Sequence, residues 1–360
     1  PEDSRRYLNF SGRAWDRELE DFVVTEPSML ISRTTGWEYD GFDSPAKQLV
    51  DDALAMIRVE QDAAGLDAPA AVGEDAQRLL DEAAGVMPEL QFWLDLLHEW
   101  GSIVYMVMHL ARGAFGAPMA EALFCRSAGR SGKDSSANLM CLLLGTYSYS
   151  ISCDALCSIP SPDSPSPTFA QLRARRFVAI REVGEQKLAA SVFKRFVDPV
   201  SELSGRNLYE SPVRFRPQYL AFFCSNKPMQ VDHMDAAVRA RTAVIDYGSI
   251  FTTTPSEATH RKWKDIASVL PSYRAGLFWL LTRVFHHLLK DRPMRTVLPV
   301  PESSSEAREL DCRDSAESAW ESFVARSLQP ARGPTEASAA GGLEAAVVRH
   351  MGIERAGAQL

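Results

Sequence analysis

The chain contains a lysine, a glycine-rich turn and hydroxyl side chains at a spacing that suits phosphate binding. A short apolar run, 122–125, precedes the turn, and a helix-like run follows Lys133. In such a layout the backbone N–H groups and the helix N-terminus face the anion, and the lysine reaches the β- and γ-phosphates. The pattern predicts a phosphate-binding loop with nucleotide contacts from Ser127, Ala128, Gly129, Arg130, Ser131, Gly132, Lys133, Asp134 and Ser135.

The loop departs from the pattern G-x-x-x-x-G-K-[ST] at both ends. Ser127 stands where the first glycine is expected, and a left-handed backbone there would cost about 1–2 kcal/mol. Asp134 replaces the hydroxyl that would bind Mg²⁺; its carboxylate could coordinate the metal, but it puts negative charge near the phosphates. Ser135 could supply the hydroxyl if the helix begins one residue later. On its own, Gly132-Lys133 is equally compatible with a structural turn.

Polar residues that could complete a catalytic site follow the lysine in the chain. Nucleotide hydrolysis needs an acid that holds Mg²⁺ or orients water, a polar group near the γ-phosphate, and a cation for the transition state. Glu182 ends the next buried strand and is the candidate acid and metal ligand, together with Asp134. Asn226 ends a further apolar strand and is the candidate sensor. Arg241, with Arg239 as the second choice, is the candidate arginine finger.

Each of these residues also has a purely structural interpretation. Glu182 could pair with Arg181 or Lys187, and Asn226 could cap the turn before Pro228. The arginines could simply be solvated. The order and spacing of the residues behind the lysine nevertheless favour the catalytic interpretation.

Apolar strand-like runs alternate with helical patterns through the middle of the chain. This alternation indicates βαβ units and a mainly parallel sheet, which is an α/β fold. A helical pattern with Pro45 near its start precedes these units and predicts a small helical collar domain. The predicted segments are a β-rich linker at 1–43, the helical collar at 44–112, the P-loop domain at 113–255, C-terminal helices at 256–298, and a flexible or partial domain at 299–360.

Composition and charge bound the class of protein. The 360 residues are 46% hydrophobic and 24% charged, which is ordinary globular composition. The net charge of −8 excludes a protein coated in basic residues but allows a local basic patch. Between residues 173 and 241, thirteen basic side chains oppose seven acidic ones, a net charge of +6. Such a basic wall suits contact with a nucleic-acid backbone; the alternative is that these arginines pair with acids on subunit faces.

The cysteines and the apolar runs predict an intracellular protein, with the compartment left open. The six cysteines contain no C-x-x-C pair, and no histidine pair completes a zinc site near Cys153 and Cys157. We therefore expect reduced thiols in an intracellular protein and no metal held by cysteine. No signal peptide or membrane span is visible, so no membrane association is expected. The chain opens with Pro1, which suggests a piece of a longer protein with its N-terminus truncated.

A series of short motifs resembles the superfamily 3 helicase domain of phage, plasmid and poxvirus-type primase-helicases. In chain order the motifs are SAGRSGKDSS, LLGTY, LRARRFVAIREV, VFKRF, GRNLYE, RFRPQYLAFFCSNKPMQ and MDAAVRARTAVIDYGSIF. The opening YLNFSGRAWD and the helices that follow it resemble the linker and helical collar of that family. The resemblance covers most of residues 1–290.

The resemblance implies an AAA+-like, three-layer P-loop domain that works as a homo-hexameric ring ATPase on nucleic acid. It implies ATP and Mg²⁺ as cofactors, single-stranded DNA as a partner, and a hairpin in the central channel within 198–214. Whether a primase domain belongs to the same full-length chain stays open. By position, Lys133 contacts the phosphates, Glu182 is the main acid, Asn226 is the sensor, and Arg241 reaches the neighbouring subunit. The predicted DNA contacts are Lys194, Arg195, Arg206 and Arg214.

The departures in the loop keep other functions open. A degenerate P-loop domain could bind nucleic acid or assemble into rings without hydrolysing ATP, because Ser127 and Asp134 both weaken the consensus. A small-molecule kinase on the same scaffold is a third hypothesis, although it has no use for the S-N-K-P segment or for the arginine pair. ATPase assays separate the first two hypotheses, and DNA binding separates both from the third.

Overall fold

A computed structural model of the chain divides it into two compact units, Pro1–Ser315 and Ala316–Leu360. At Glu182 and Val183 the backbone alone is described. The predicted domain at 299–360 lies outside the described residues, except for 300 and 301. The described residues are 5–64, 72–118, 120–127, 129–158, 166–183, 187–256, 260–262, 266–292 and 300–301.

The N-terminal strands form an antiparallel sheet that packs on a helix from the end of the first unit. Alternation of apolar and polar residues buries one side of these strands, as it does at Leu8 and Ala14. The rings of Phe10 and Tyr39 each lie 4.9 Å from the ring of Phe278. The strands are β1 Tyr7–Asn9, β2 Arg13–Asp16 and β3 Asp21–Val24.

Helices occupy the region of the predicted collar. In the first of them Val50, Ala53, Leu54 and Ile57 are buried, which is the spacing of a single helix face. The fourth is buried along its whole length and contacts the central sheet. These helices are α1 Lys47–Ala64, α2 Glu74–Ala84, α3 Pro88–Leu97 and α4 Trp100–Ala114.

Within the described residues, five parallel strands form the central sheet, and in sheet order they are β10 Thr242–Asp246, β4 Ala122–Arg126, β9 Leu220–Ser225, β6 Phe177–Val183 and β5 Ser148–Ser152. The prediction of an α/β fold with a mainly parallel central sheet after N-terminal helices is confirmed. Strand β5 was not expected, because its sequence Ser-Tyr-Ser-Ile-Ser is mostly polar and only Ile151 is buried, as suits an edge strand.

The two faces of the sheet belong to different apolar cores. Leu123 and Cys125 of β4 point into the core that contains the N-terminal helices and α5 Lys133–Leu144. Ala122 and Phe124 point into the other core, which contains α7 Ala190–Val197. Because side chains alternate along a strand, the four buried strands β4, β6, β9 and β10 each contribute to both cores, whereas β5 contributes to the second core only.

The remaining elements surround the sheet. Strands β7 Leu203–Gly205 and β8 Val213–Phe215 pair antiparallel as a hairpin within the segment where one was expected. Strands β11 Ile250–Thr252 and β12 His260–Lys262 pair parallel. The helices here are α6 Pro167–Ala170, α8 Ala236–Arg239, α9 Ile266–Val269, α10 Arg274–Val284 and a π-helical turn at Phe285–Leu289. No helix in the described part of the chain is both long and apolar enough to span a bilayer.

Candidate nucleotide-binding site

The glycine-rich turn joins the carboxyl end of β4 to the start of α5. Gly129 and Gly132 have φ values of +106° and +85°, a region that glycine enters without strain. Arg130 also has a positive φ of +52°. Ser127 lies outside the left-handed region, so the strain considered for it does not arise. Ala128 lies outside the described residues.

Ser127, which replaces the consensus glycine, ties the loop together through its hydroxyl. Its Oγ accepts hydrogen bonds from Ser131 Oγ at 2.7 Å, from Gly129 N at 3.3 Å and from Lys133 Nζ at 3.3 Å. The serine therefore supports the loop conformation, a role that a glycine could not fill.

Lys133 and Asn226 meet at the carboxyl edge of the sheet. Lys133 Nζ donates to Asn226 Oδ1 at 2.5 Å, and the lysine is only 6% exposed. Asn226 directly follows β9, which lies beside β4 in the sheet. The carboxyl ends of parallel strands lie at the same edge of a sheet. The turn follows β4 and Asn226 follows β9, so the two neighbouring strands bring Lys133 and Asn226 together.

Glu182 lies on the neighbouring strand β6 at the same edge. Its neighbour Val183 pairs with Ser225, the residue before Asn226. The backbone of Glu182 is therefore close to the carboxyl edge where the loop lies. Its side chain is outside the description, so its role as acid and metal ligand stays a prediction.

The carboxylate of Asp134 is already paired with a cation. Arg181 Nη1 lies 3.7 Å from Asp134 Oδ1, and Arg181 Nη2 donates to Asn138 Oδ1 at 2.6 Å. Magnesium requires oxygen ligands in near-octahedral geometry at about 2.0–2.1 Å. The Asp134 carboxylate faces a guanidinium here and would have to leave it to bind a metal, so its role as a metal ligand stays a prediction.

No cluster of metal ligands accompanies the loop elsewhere in the described residues. Among them, no group of three or more His, Cys, Asp or Glu side chains is arranged to hold a metal ion. The described cysteines are free thiols. Burial, with the nearby Asp134 charge as a smaller cause, raises the pKa of Cys224 to about 12, so this thiol stays protonated at neutral pH.

A cavity of about 720 Å³ opens against the loop. One wall contains Lys133 and its neighbours, and the opposite wall is apolar, with Phe92 and Leu96 of α3, Phe251 and Tyr273. The volume lies within the roughly 300–1,000 Å³ typical of ligand pockets. Sequence reasoning missed this wall, because its members come from distant segments and each fits an ordinary core pattern.

Arg241 lies at the opposite edge of the sheet from Lys133. It directly precedes β10, whose first residue Thr242 is in register with Ala122, the first residue of β4. Its guanidinium donates to Ala237 O at 3.1 Å and lies 3.6 Å from Asp198 Oδ2. Arg239, on α8, is exposed. The described contacts of Arg241 are therefore with Ala237 and Asp198 and not with the loop.

The predicted DNA contacts differ in their surroundings. Lys194 Nζ pairs with Asp235 Oδ2 at 2.8 Å, and Arg195 donates to Glu202 O at 3.3 Å. Arg214, on β8, lies 3.6 Å from a Glu202 carboxylate oxygen and its side chain is 76% exposed. The loop segment at 206–212 connects the two strands of the hairpin.

The tip of the hairpin presents residues that sequence reasoning did not single out. Tyr209 is 98% exposed and Leu208 is 59% exposed. Tyr209 also has a positive φ of +63°. The signal available in the sequence was an aromatic residue between Arg206 and Arg214, inside a segment already expected to form a hairpin.

Comparisons with known proteins give weak likenesses only. No protein-family model matches the chain, and no curated protein matches it. Among solved structures, the apo C-terminal region of NrS-1 is 13% identical with a TM-score of 0.42, covering 76% of this chain and 52% of that chain. A ligand-bound JCV helicase is 12% identical with a TM-score of 0.26, covering 77% and 92%. The chain spans about half the length of the NrS-1 chain, and similarities this low do not establish what it does.

Proposed function

We propose that this chain is an ATP-driven helicase motor that moves along single-stranded DNA as a ring of identical subunits. The observation that supports this most directly is the hydrogen bond between Lys133, which directly follows the glycine-rich turn, and Asn226. A lysine at the start of α5 and an amide at the end of the neighbouring strand are the groups that a motor needs beside a γ-phosphate.

The triphosphate would lie along the turn, with the nucleoside in the adjoining cavity. The backbone around Gly129 and Gly132 and the N-terminus of α5 favour bound anions. The apolar wall of the cavity can pack against a nucleobase, while Gln91 and Asp95 of α3 offer polar groups along the same lining. ATP is the nucleotide proposed.

In hydrolysis, Lys133 would stabilise charge on the transferred phosphoryl group and Asn226 would position the attacking water or sense the γ-phosphate. Glu182, whose backbone lies at the same edge, is the proposed base or water-orienting acid. Magnesium, when bound, neutralises charge on the β- and γ-phosphates. Because Asp134 faces Arg181, we assign it no step in the reaction.

The hairpin is the proposed contact with single-stranded DNA. An exposed tyrosine can stack on a base of any sequence, and arginines beside it can follow the phosphate backbone. Tyr209 and Arg214 have the exposure that this requires, and Arg206 belongs to the same loop. Lys194 and Arg195 already have partners within the chain, so we expect a smaller contribution from them.

A ring explains the position of Arg241. Within one subunit it is held near Asp198, at the sheet edge away from Lys133. This position favours action on the nucleotide of a neighbouring subunit, as an arginine finger supplied in trans. A homo-hexamer is the proposed assembly, and a primase domain on the same full-length chain would be compatible with it.

A second candidate is a degenerate P-loop domain that binds nucleotide or DNA without turnover. The ion pair between Asp134 and Arg181 favours it, because it removes an expected metal ligand from the site. A small-molecule kinase finds no comparable support.

An ATPase assay with and without single-stranded DNA tests the proposal. We expect Mg²⁺-dependent hydrolysis that DNA stimulates and that Lys133→Ala abolishes. Equal turnover in the parent and the variant would refute the motor. DNA binding without any hydrolysis in the parent would favour the degenerate domain instead.

A further inference from the structure

We propose that Arg181 acts as a built-in cation at this loop, so that the site binds nucleoside triphosphate without a divalent metal. This inference rests on the proposed function to the extent that the loop must bind a nucleotide. It departs from that function in making the first binding step independent of magnesium.

The guanidinium of Arg181 is held against the first turn of α5 by two side chains one helical turn apart. Nη1 lies 3.7 Å from Asp134 Oδ1, and Nη2 donates to Asn138 Oδ1 at 2.6 Å. Residues four apart lie on the same face of a helix, so one planar guanidinium can reach both. Arg181 belongs to β6, which lies next to β9, the strand that Asn226 directly follows.

This position is adjacent to the residue where the consensus loop places its metal-binding hydroxyl. Asp134 directly follows Lys133, and in the consensus that residue holds the metal that bridges the β- and γ-phosphates. Here the side chain at that position holds a guanidinium instead.

Arg181 is suited to exchange its carboxylate partner, Asp134, for a phosphate. The ion pair is long, and the Asp134 side chain is 57% exposed, so its net stabilisation is small. A guanidinium presents a planar set of donors that matches phosphate oxygens, and charge-assisted bonds of this kind are the stronger ones. Arg181 can therefore turn from Asp134 to an incoming phosphate while Asn138 keeps its other nitrogen in place.

A structural role for Arg181, as a tie between β6 and α5, is the competing explanation. A tie would affect the stability of the fold and would weaken nucleotide binding equally with and without metal. If Arg181 is a built-in cation, the expected result is different. Removing its charge should weaken nucleotide binding more without Mg²⁺ than with it.

The test measures binding of a fluorescent ATP analogue to the full chain, once with Mg²⁺ and once with EDTA. For the parent we expect affinities that differ by less than about threefold between the two conditions. For Arg181→Gln we expect about a tenfold or greater loss in EDTA and a smaller loss with Mg²⁺. Arg58→Gln is the matched control, because Arg58 also pairs with one carboxylate, that of Asp62 at 2.6 Å, and donates to a second acceptor, His287 O at 3.3 Å, but lies on α1 and does not line the cavity.

Binding by the parent only when Mg²⁺ is present would overturn the proposal, and so would an equal loss by Arg181→Gln in both conditions. If Arg181→Gln does not fold, Arg181→Lys keeps the charge, and its affinities with Mg²⁺ and with EDTA should stay within about threefold of each other, as in the parent; a loss of about tenfold in EDTA alone would overturn the proposal. Absence of binding in both conditions, or unchanged binding by Lys133→Ala, would instead refute the nucleotide site itself.

Discussion

Lys133 Nζ donates a hydrogen bond of 2.5 Å to Asn226 Oδ1, although the two residues are 93 positions apart in the chain. The acceptor is a neutral amide, so the positive charge of the lysine is not neutralised by this contact. A phosphate that enters the loop can therefore draw the amine toward itself while the amide stays beside it. The two side chains thus meet at the edge of the sheet, beside the glycine-rich turn.

Replacement of Asn226 should separate catalysis from binding. In Asn226→Ala we expect turnover to fall by about 10²–10³-fold, which is the loss typical of removing one positioned polar group from a transition state. ATP affinity should change little, because Lys133 and the backbone of the loop remain. Steady-state kinetics with a direct binding measurement check this, with Gln48→Ala, an exposed amide on α1, as the control. Loss of affinity in place of turnover would contradict the assigned role.

The two glycines of the loop should respond differently to a methyl group. Both have positive φ, so alanine at either costs about 1–2 kcal/mol in backbone strain. At Gly129 a Cβ meets nothing within 4 Å, whereas at Gly132 it would overlap Leu96 Cδ2 in the buried wall of the cavity. We expect Gly132→Ala to lose about a further 1–3 kcal/mol through overpacking. Thermal unfolding of the two variants compares them directly, and equal losses of stability would show that Leu96 yields freely.

Much of this site was accessible from the sequence, because parallel strands bring their carboxyl ends to one edge. Apolar runs that end in Asn226 and near Glu182 predicted strands there, and observed β9 and β6 agree within one residue at their ends. From that topology the meeting of Lys133 with Asn226 follows. Edge strand β5 could not be predicted from the sequence in this way, because a strand with only one buried residue has almost no hydrophobic pattern.

Contacts set by packing between distant elements were not accessible. Phe92 and Tyr273 each belong to a helical segment and line the cavity. The periodicity of such a segment predicts which of its faces is buried, but it does not predict which other element packs against that face. The cavity between them and the loop is therefore invisible in the sequence. The partner of Asp134 was equally hidden: Arg181 was considered only as a possible partner of Glu182, and its contact with Asp134 depends on how β6 packs against α5.

Arg241 should act between subunits. Arg241→Ala and Lys133→Ala are each expected to lose turnover, the former by about 10³-fold or more if it is an arginine finger. Mixing the two variants should restore part of the activity, because some interfaces then combine an intact lysine from one subunit with an intact arginine from the next. ATPase activity measured across mixing ratios gives the result. A mixture that stays inactive at every ratio would mean that Arg241 serves its own subunit, through its contact with Asp198.

Tyr209 should contribute to DNA affinity through its ring alone. In Tyr209→Ala we expect binding of single-stranded DNA to weaken by about tenfold, since stacking of one base is worth roughly 1–3 kcal/mol. Tyr209→Phe keeps the ring and should bind like the parent. Fluorescence anisotropy with a labelled oligonucleotide measures both, and basal ATPase without DNA should be unchanged in each. If the phenylalanine variant weakens as much as the alanine variant, the hydroxyl and not stacking makes the contact.

His98 should make the fold less stable as the solution becomes mildly acidic. Its Nδ1 faces a guanidinium nitrogen of Arg261 at 2.8 Å, and its Nε2 lies 2.6 Å from Ser249 Oγ, so the arginine fixes Nδ1 as the acceptor. Partial burial first, and then the Arg261 charge, hold the pKa of His98 below its usual 6.5, while Asp95 opposes this weakly. A proton on Nδ1 would point at a cation.

The sign follows from proton counting. As pH falls through 6.5, the unfolded chain takes up a proton at this histidine while the folded chain does not, so the free energy of unfolding decreases. Above that pH both states are neutral and the effect vanishes. In His98→Gln the amide can still accept from Arg261 and donate to Ser249. Between about pH 7 and pH 6, the range in which a histidine of ordinary pKa titrates, we expect the variant to lose less stability than the parent. His233→Gln, at an exposed position, should follow the parent. Denaturant unfolding at a series of pH values measures the slopes, and parallel slopes for His98→Gln and the parent would show that this histidine does not couple protonation to folding.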